Sequence, residues 1–268
     1  MTAWDEKTGN TCRISFPHEI AAQIGTESFE TAAVGRSDSS VLLFSDKVLK
    51  IEKTSAVSDN EHAVLKWLDG KLCAPRVLAF VKENGFNYLL MTRLDGKMSF
   101  AAEMSPEEIS AKLAEGILLL RSTDITDCPS KKDFAAILRQ AKKRMEGGEL
   151  KGLSPQTDEF SDFEALFAYL EAHIPEEELV FSHGDYCLPN VFLSEEGIGF
   201  LDLGSAGVMD RDYDVFMCLW SMRYNFVTLG GMTEERFEAC KRTFFTALGE
   251  SENEEKLRFH RLLDEFFV

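Results

Sequence analysis

Between residues 183 and 202 three side chains have the types and the spacing that phosphoryl transfer requires. Asp185 is followed five residues later by Asn190, and Asp202 lies twelve residues beyond that. The reaction asks little covalent chemistry of a protein. A carboxylate must position the acceptor hydroxyl, and oxygen ligands must hold Mg²⁺ on the nucleotide phosphates. Mg²⁺ prefers oxygen ligands at about 2.0–2.1 Å and keeps several waters, so one carboxylate, one amide oxygen and the phosphates suffice. Either Asp taken alone reads as an ordinary loop acid. Together, flanking the turn Glu195-Glu196-Gly197 and preceded by the apolar strand Leu179-Val180-Phe181, they form a constellation whose context matches its roles.

The order is that of a kinase catalytic loop, with Asp185 as the base and Asn190 as a metal ligand. Pro189 stiffens the loop, and Gly184 stands where such loops usually carry Arg. Asp202-Leu203-Gly204 is a variant of the Asp-Phe-Gly metal motif. Lys50 occupies the position of a kinase phosphate-binding lysine, and Glu61 is its candidate partner, although Ser58 and Glu61 also fit a capping box at a helix start. The loop Gly35-Arg36-Ser37-Asp38-Ser39-Ser40 is small and polar, which suits either close backbone approach to phosphate or a plain hairpin turn.

The elements that must position these groups fall into two patterns. Short apolar runs at 41–44 and 48–51 predict strands, and Asn84-Gly85 predicts a tight hairpin between Arg76 to Val81 and Tyr88 to Thr92. A helix carrying Val64, Leu65 and Leu68 is expected to open at Ser58. From Pro106 onward the pattern is helical, with amphipathic stretches starting at Pro106 and Phe134 and further helices over 160–173, 211–226, 233–248 and 253–266. The predicted fold is α+β and bilobal. An N-terminal antiparallel sheet plus helix (1–93) would bind nucleotide, and a larger, mostly helical lobe (94–268) would carry catalysis and substrate, with Leu94-Asp95-Gly96 as linker.

Composition narrows the partners. A formal net charge of −17 argues against nucleic acid, whose backbone needs a basic footprint, and suits a cationic substrate. Acidity also serves plain solubility. Six cysteines, at 12, 73, 128, 187, 218 and 240, show neither Cys-x-x-Cys pairs nor metal-ligand spacing. No apolar run is long enough to span a bilayer and the first residues lack a secretion signal, so no membrane partner, a cytoplasmic location and a monomer are expected.

The chain resembles the aminoglycoside 3′-phosphotransferases, kanamycin and neomycin kinases with a protein-kinase-like fold. The resemblance rests on the loop at 183–193, on Asn60-Glu61 through Trp67-Leu68, Leu89-Leu90-Met91, the stretch from Asp124 to Pro129, and above all the closing Arg261-Leu262-Leu263-Asp264-Glu265-Phe266-Phe267. It implies ATP and Mg²⁺ as cofactors and an aminoglycoside hydroxyl as acceptor. It further implies that Lys50 meets the α and β phosphates with Glu61 holding it, that Ser37 touches the β phosphate, and that backbone at Thr92 and Leu94 meets adenine. Asp185 would deprotonate the sugar hydroxyl, Asn190 and Asp202 would hold Mg²⁺, and Asp158, Glu159, Asp264 and Glu265 would hold substrate ammonium groups.

Departures from the family pattern bear on the acceptor. Ser205 replaces an Arg three residues after the metal Asp, Val48 replaces an aromatic, and Trp220, Ser221, Tyr224 and Asn225 occupy a helix where the family presents Arg and acids. Other readings are a kinase for a macrolide, choline or amino sugar, and a nucleotide-binding pseudokinase. A protein kinase is disfavoured because no Ala-Pro-Glu segment follows Asp202.

Overall fold

Successive residues of a strand face opposite sides of its sheet, and the N-terminal third uses this to separate core from cleft. The computed structural model describes residues 16–32 and 39–267 in full, with the backbone of 2–5 and 10–13. Strands β1 (Thr2–Asp5) and β2 (Asn10–Arg13) pair antiparallel, and helix α1 (His18–Ile24) follows. Next come β3 (Glu30–Thr31), β4 (Ser40–Leu43), β5 (Lys47–Lys53), helix α2 (Ala56–Leu68), β6 (Val77–Glu83) and β7 (Phe86–Thr92). These five strands form one antiparallel sheet in the order β3-β4-β5-β7-β6. In β5, Leu49 joins Ile20, Ile24, Leu42, Phe44 and Leu90 in the core beneath α1, which turns its neighbour Lys50 to the other face. The β6–β7 hairpin turns at Asn84 and Gly85, whose φ of 52° and 81° give the doubly left-handed backbone expected of that dipeptide.

Helix α2 departs from the sequence expectation. It starts at Ala56, and its capping box joins Ser55 to Ser58. The Ser58 hydroxyl accepts from Ser55 N–H at 3.0 Å and the Ser55 hydroxyl accepts from Ser58 N–H at 3.1 Å. The helix end is thus closed without Glu61, which lies on the inward face, 2 % exposed.

Past the short β8 (Lys97–Met98) the chain becomes mostly helical: α3 (Pro106–Arg121), α4 (Phe134–Glu146) and α5 (Phe163–Ala172). Strand β9 (Leu179–Ser182) leads into the hairpin β10 (Val191–Ser194) and β11 (Gly197–Phe200), then β12 (Gly207–Asp210). Strand β9 pairs with β12, and β10 pairs with both β11 and β8. Helices α6 (Tyr213–Arg223), α7 (Glu234–Leu248) and α8 (Glu254–Asp264) complete the described chain. The last turns of α6 widen into a π-helical segment, Tyr224–Leu229, where the Asn225 side chain donates back to Ser221 O at 2.8 Å.

One core runs from α2 and β7 through α3 to the β10–β11 hairpin and α7, so the two regions share apolar packing. A second core joins α4, α5 and α8. Among the described residues no helix is long and apolar enough to cross a membrane.

Candidate active site

The Lys50 ammonium is the meeting point of the two regions. It lies 2.8 Å from Glu61 Oε2 and 2.9 Å from Asp202 Oδ1. Burial works to lower its pKa, but the two carboxylates outweigh burial and hold it above the usual lysine value, so the group stays charged. Helix α2 is tied to the same place by Asn60, whose amide donates to Gly204 O at 2.9 Å and to Ala206 O at 2.8 Å. Asp202 itself takes a left-handed backbone, φ 55° and ψ 57°, at the start of a 3₁₀ turn, Leu203–Ser205. This is uncommon for a non-glycine residue and is characteristic of functional turns.

The loop between β9 and β10 is braced from beneath. Asp214, buried at the start of α6, accepts from the N–H groups of His183 (2.7 Å) and Gly184 (3.0 Å). The His183 ring bonds Leu201 O through Nε2 at 2.8 Å, and its Nδ1 accepts from Asp185 N–H at 3.3 Å. This sequence of contacts fixes the tautomer with the proton on Nε2. Gly184 has φ 77°, and a Cβ there would collide with the Ser205 carbonyl oxygen. Close approach of the two loops therefore explains why Arg is absent at this position.

Both carboxylate oxygens of Asp185 are held by its own loop. Asn190 Nδ2 donates to Oδ2 at 2.9 Å and to the Asp185 carbonyl at 3.0 Å, and Cys187 Sγ lies 3.1 Å from Oδ1. With its NH₂ directed to Asp185, the Asn190 amide keeps its oxygen for another partner. The Asn190 main chain also accepts from Leu201 N–H at 2.9 Å, linking it to the strand that delivers Asp202.

The other expected residues are placed unevenly. Thr92 N–H is taken by Arg76 O at 2.9 Å and its hydroxyl accepts from Arg76 N–H at 2.9 Å, so the Thr92 main-chain donor is already committed. Leu94 follows at the edge of a cavity of about 440 Å³, also lined by Leu65, Leu72 and Pro75. Ser37 lies outside the described residues.

Of the four acids expected near the acceptor, Asp264 lies within electrostatic reach of Asp185. Burial, then the charges of Glu265 and Asp185, push its carboxyl up to about 6. Glu265 accepts from Gln156 N–H at 2.7 Å, and Asp158 is exposed. Glu159 is engaged elsewhere, by Arg258 and, at 2.8 Å, by Arg261, which pins its loop to α8. On α6, Trp220 is 53 % exposed and stacks on Tyr224 with centroids 5.7 Å apart and planes 2° from parallel.

Sequence reasoning missed three contacts. Asn60 precedes Glu61 and carried no signal of its own. Ser221 was noted only as a departure, and Lys132, whose ammonium donates to Ser205 O at 2.6 Å, lies in a stretch without motif. Burial lowers the Lys132 pKa to about 8.

Residues 27–260 match the phosphotransferase enzyme family. The chain belongs to it. Among similar members is an aminoglycoside 3′-phosphotransferase of Enterococcus faecalis, 34% identical over 242 residues, 87% of each chain. Another, from Staphylococcus aureus, is 32% identical over 90% of this chain and 92% of its own. The phosphotransferase fold is shared with the crystal structure of an aminoglycoside-3′-phosphotransferase of type VIII, TM-score 0.73 at 24% identity over 94% of this chain and all of that one. It is shared also with a Streptomyces rimosus aminoglycoside phosphotransferase solved with ADP and streptomycin, TM-score 0.73 at 20% identity over 93% of this chain and 96% of that one. This phosphotransferase thus has the kinase-like α+β architecture expected from its sequence, and it acts on an alcohol group.

Proposed function

We propose that this phosphotransferase moves the γ-phosphoryl group of ATP to a hydroxyl of an aminoglycoside, the 3′ hydroxyl above all, and so confers resistance. The observation that carries this is the ammonium of Lys50 held by Glu61 and Asp202, together with a carboxylate, Asp185, that both Asn190 and Cys187 contact. Residues 1–93 are assigned to nucleotide and 94–268 to catalysis and acceptor. Lys50 would turn from Asp202 to the α and β phosphates while Glu61 keeps it in place, with Thr92 carbonyl and Leu94 N–H facing adenine and Ser37 the β phosphate. Asp185 accepts the acceptor's hydroxyl proton as the new P–O bond forms and the bond from γ-phosphorus to the bridging oxygen breaks, which leaves ADP.

Mg²⁺ fits the oxygen donors present. Asn190 has its amide nitrogen already committed, and Asp202 offers a carboxylate from the turn after β11, next to Leu201, whose N–H bonds the Asn190 carbonyl. Among the described residues no three His, Cys, Asp or Glu groups form a metal site alone, and an ion carried on phosphates asks for only one or two protein carboxylates. When bound, the ion would neutralise charge on the phosphates. Asp264 is assigned to a substrate ammonium, with Glu265 and Asp158 beside it. Glu159, already met by two guanidinium groups, is assigned chiefly to bracing the loop.

ADP release measured with kanamycin, neomycin and amikacin tests this, with the phosphorylated position read by NMR. Turnover should appear with at least one, and Asp185→Asn should lower kcat by roughly 10²- to 10⁴-fold. No turnover with any of them would overturn the aminoglycoside assignment. The stacked Trp220–Tyr224 pair supports a second reading, in which a less cationic hydroxyl compound is the acceptor. A macrolide, choline and an amino sugar in the same assay separate the two.

A further inference from the structure

The helix beyond Asp214 holds the loop of the catalytic carboxylate by a hydrogen bond from its main chain to Ser221. Ser221, on α6, is 1 % exposed. Its Oγ accepts from the catalytic-loop N–H of Leu188 at 3.0 Å and from Asn225 Nδ2 at 3.4 Å. A hydroxyl has one proton to give and two lone pairs to receive with. Ser221 thereby holds the main chain next to Cys187 against α6. Cys187 in turn places its own S–H toward Asp185 Oδ1 at 3.1 Å.

From this geometry we infer that Cys187 is a positioning residue for phosphoryl transfer, its thiol fixing one oxygen of Asp185 while Asn190 fixes the other. Asn225, in the π-helical segment, donates to Ser221 as well, so α6 and the segment after it meet the catalytic loop at Leu188, next to Cys187. A carboxylate oxygen only accepts, so the thiol is the donor of this bond. A carboxylate without the thiol contact would keep Asn190 as its sole described side-chain donor and gain freedom to rotate about its last bond. Small angular errors of this kind in a catalytic base cost rate and leave binding intact.

The inference rests on Asp185 being the base assigned above, and the test separates the two. Cys187→Ala, Cys187→Ser and Ser221→Ala would each be compared with the unaltered chain. Measurements are kcat and KM for ATP and for whichever acceptor the unaltered chain uses, together with melting temperature and ADP release in buffer without acceptor. Cys187→Ala should lower kcat roughly fivefold to twentyfold with both KM values and the melting temperature little changed. Cys187→Ser, which restores a donor at the same atom, should recover activity to within about threefold, and Ser221→Ala should fall between. A Cys187→Ala enzyme with unaltered kcat, a loss confined to KM, or a serine variant no better than alanine overturns the inference. If no aminoglycoside is turned over, the function proposed above fails on that result alone, and the same comparison is read on another acceptor or on acceptor-free ADP release.

Discussion

Lys50 Nζ stands 2.9 Å from Asp202 Oδ1, an ion pair between residues 152 positions apart that ties a strand of the first sheet to the turn after β11. With Glu61 at 2.8 Å on the other side, one ammonium registers helix α2, strand β5 and the Asp202 turn against one another. Surface ion pairs contribute little, but the Glu61 carboxylate on this ammonium is almost wholly removed from water, and losing the ammonium leaves that charge without its partner.

Replacing that ammonium, as in Lys50→Met, is expected to lower kcat/KM for ATP by at least about 100-fold and to destabilise the chain by about 3 kcal/mol. Burial already pushes Glu61 up to about 7, against the opposing pull of Lys50. Without Lys50 that pull is gone and the folded-state pKa rises further above its unfolded value of 4.5. A carboxyl raised on folding favours the native state at low pH and loses that contribution as pH rises through the folded value. Denaturant titrations at pH 6 and pH 8 should therefore show the larger loss at pH 8, and equal losses would refute the account.

Gly184 combines a left-handed φ of 77° with the Ser205 carbonyl directly against it. Gly184→Ala should cost about 2–4 kcal/mol, part for the left-handed backbone and part for the displaced carbonyl. Because the peptide adjoins Asp185, kcat should fall with stability. Thermal melts and steady-state rates on the same preparation check both.

The Asn60 amide holds two carbonyls of the turn after Asp202. Asn60→Leu keeps the volume and removes both bonds, so about 1–3 kcal/mol of stability should be lost and the KM for ATP raised several-fold through Asp202. An unchanged KM would show that α2 does not steer the turn.

Asp264 gives a prediction of opposite sign. Its carboxyl, raised to about 6 from 3.8, favours the folded state while protonated, and that contribution disappears as pH rises through about 6. Asp264→Asn should accordingly be neutral near pH 4 and stabilising by about 1 kcal/mol at pH 8, a figure reduced for its partial exposure. The same change should weaken binding of a polycationic acceptor. Melting curves across this range, with acceptor KM alongside, test the pair of effects; destabilisation at pH 8 would contradict it.

Much of the proposed site was legible in the sequence because its residues are close neighbours in the chain. Asp185, Asn190 and Asp202 sit on one loop and one hairpin, so spacing alone brings the first two together, as the 2.9 Å bond confirms. The Asn84-Gly85 turn and the helical stripe of α3 are likewise local, fixed by backbone preference and periodicity. The helix that opens at Ala56 was misplaced by two residues because two serines compete to cap it, and only the folded chain chose Ser55.

What the tertiary structure decided is everything that joins distant segments. Whether Glu61 caps a helix or pairs with Lys50 depends on how α2 packs across β5, and periodicity is blind to that. The contacts of Asn60 and Lys132, and that of Ser221 with Leu188, end on main-chain atoms, and nearly every residue type has the same main chain, so no motif announces them. Glu159 looked available to a cationic substrate until α8 brought two arginines to it. Sequence named the groups able to do chemistry; long-range packing determined which of them are free to do it and which are spent holding the others in place.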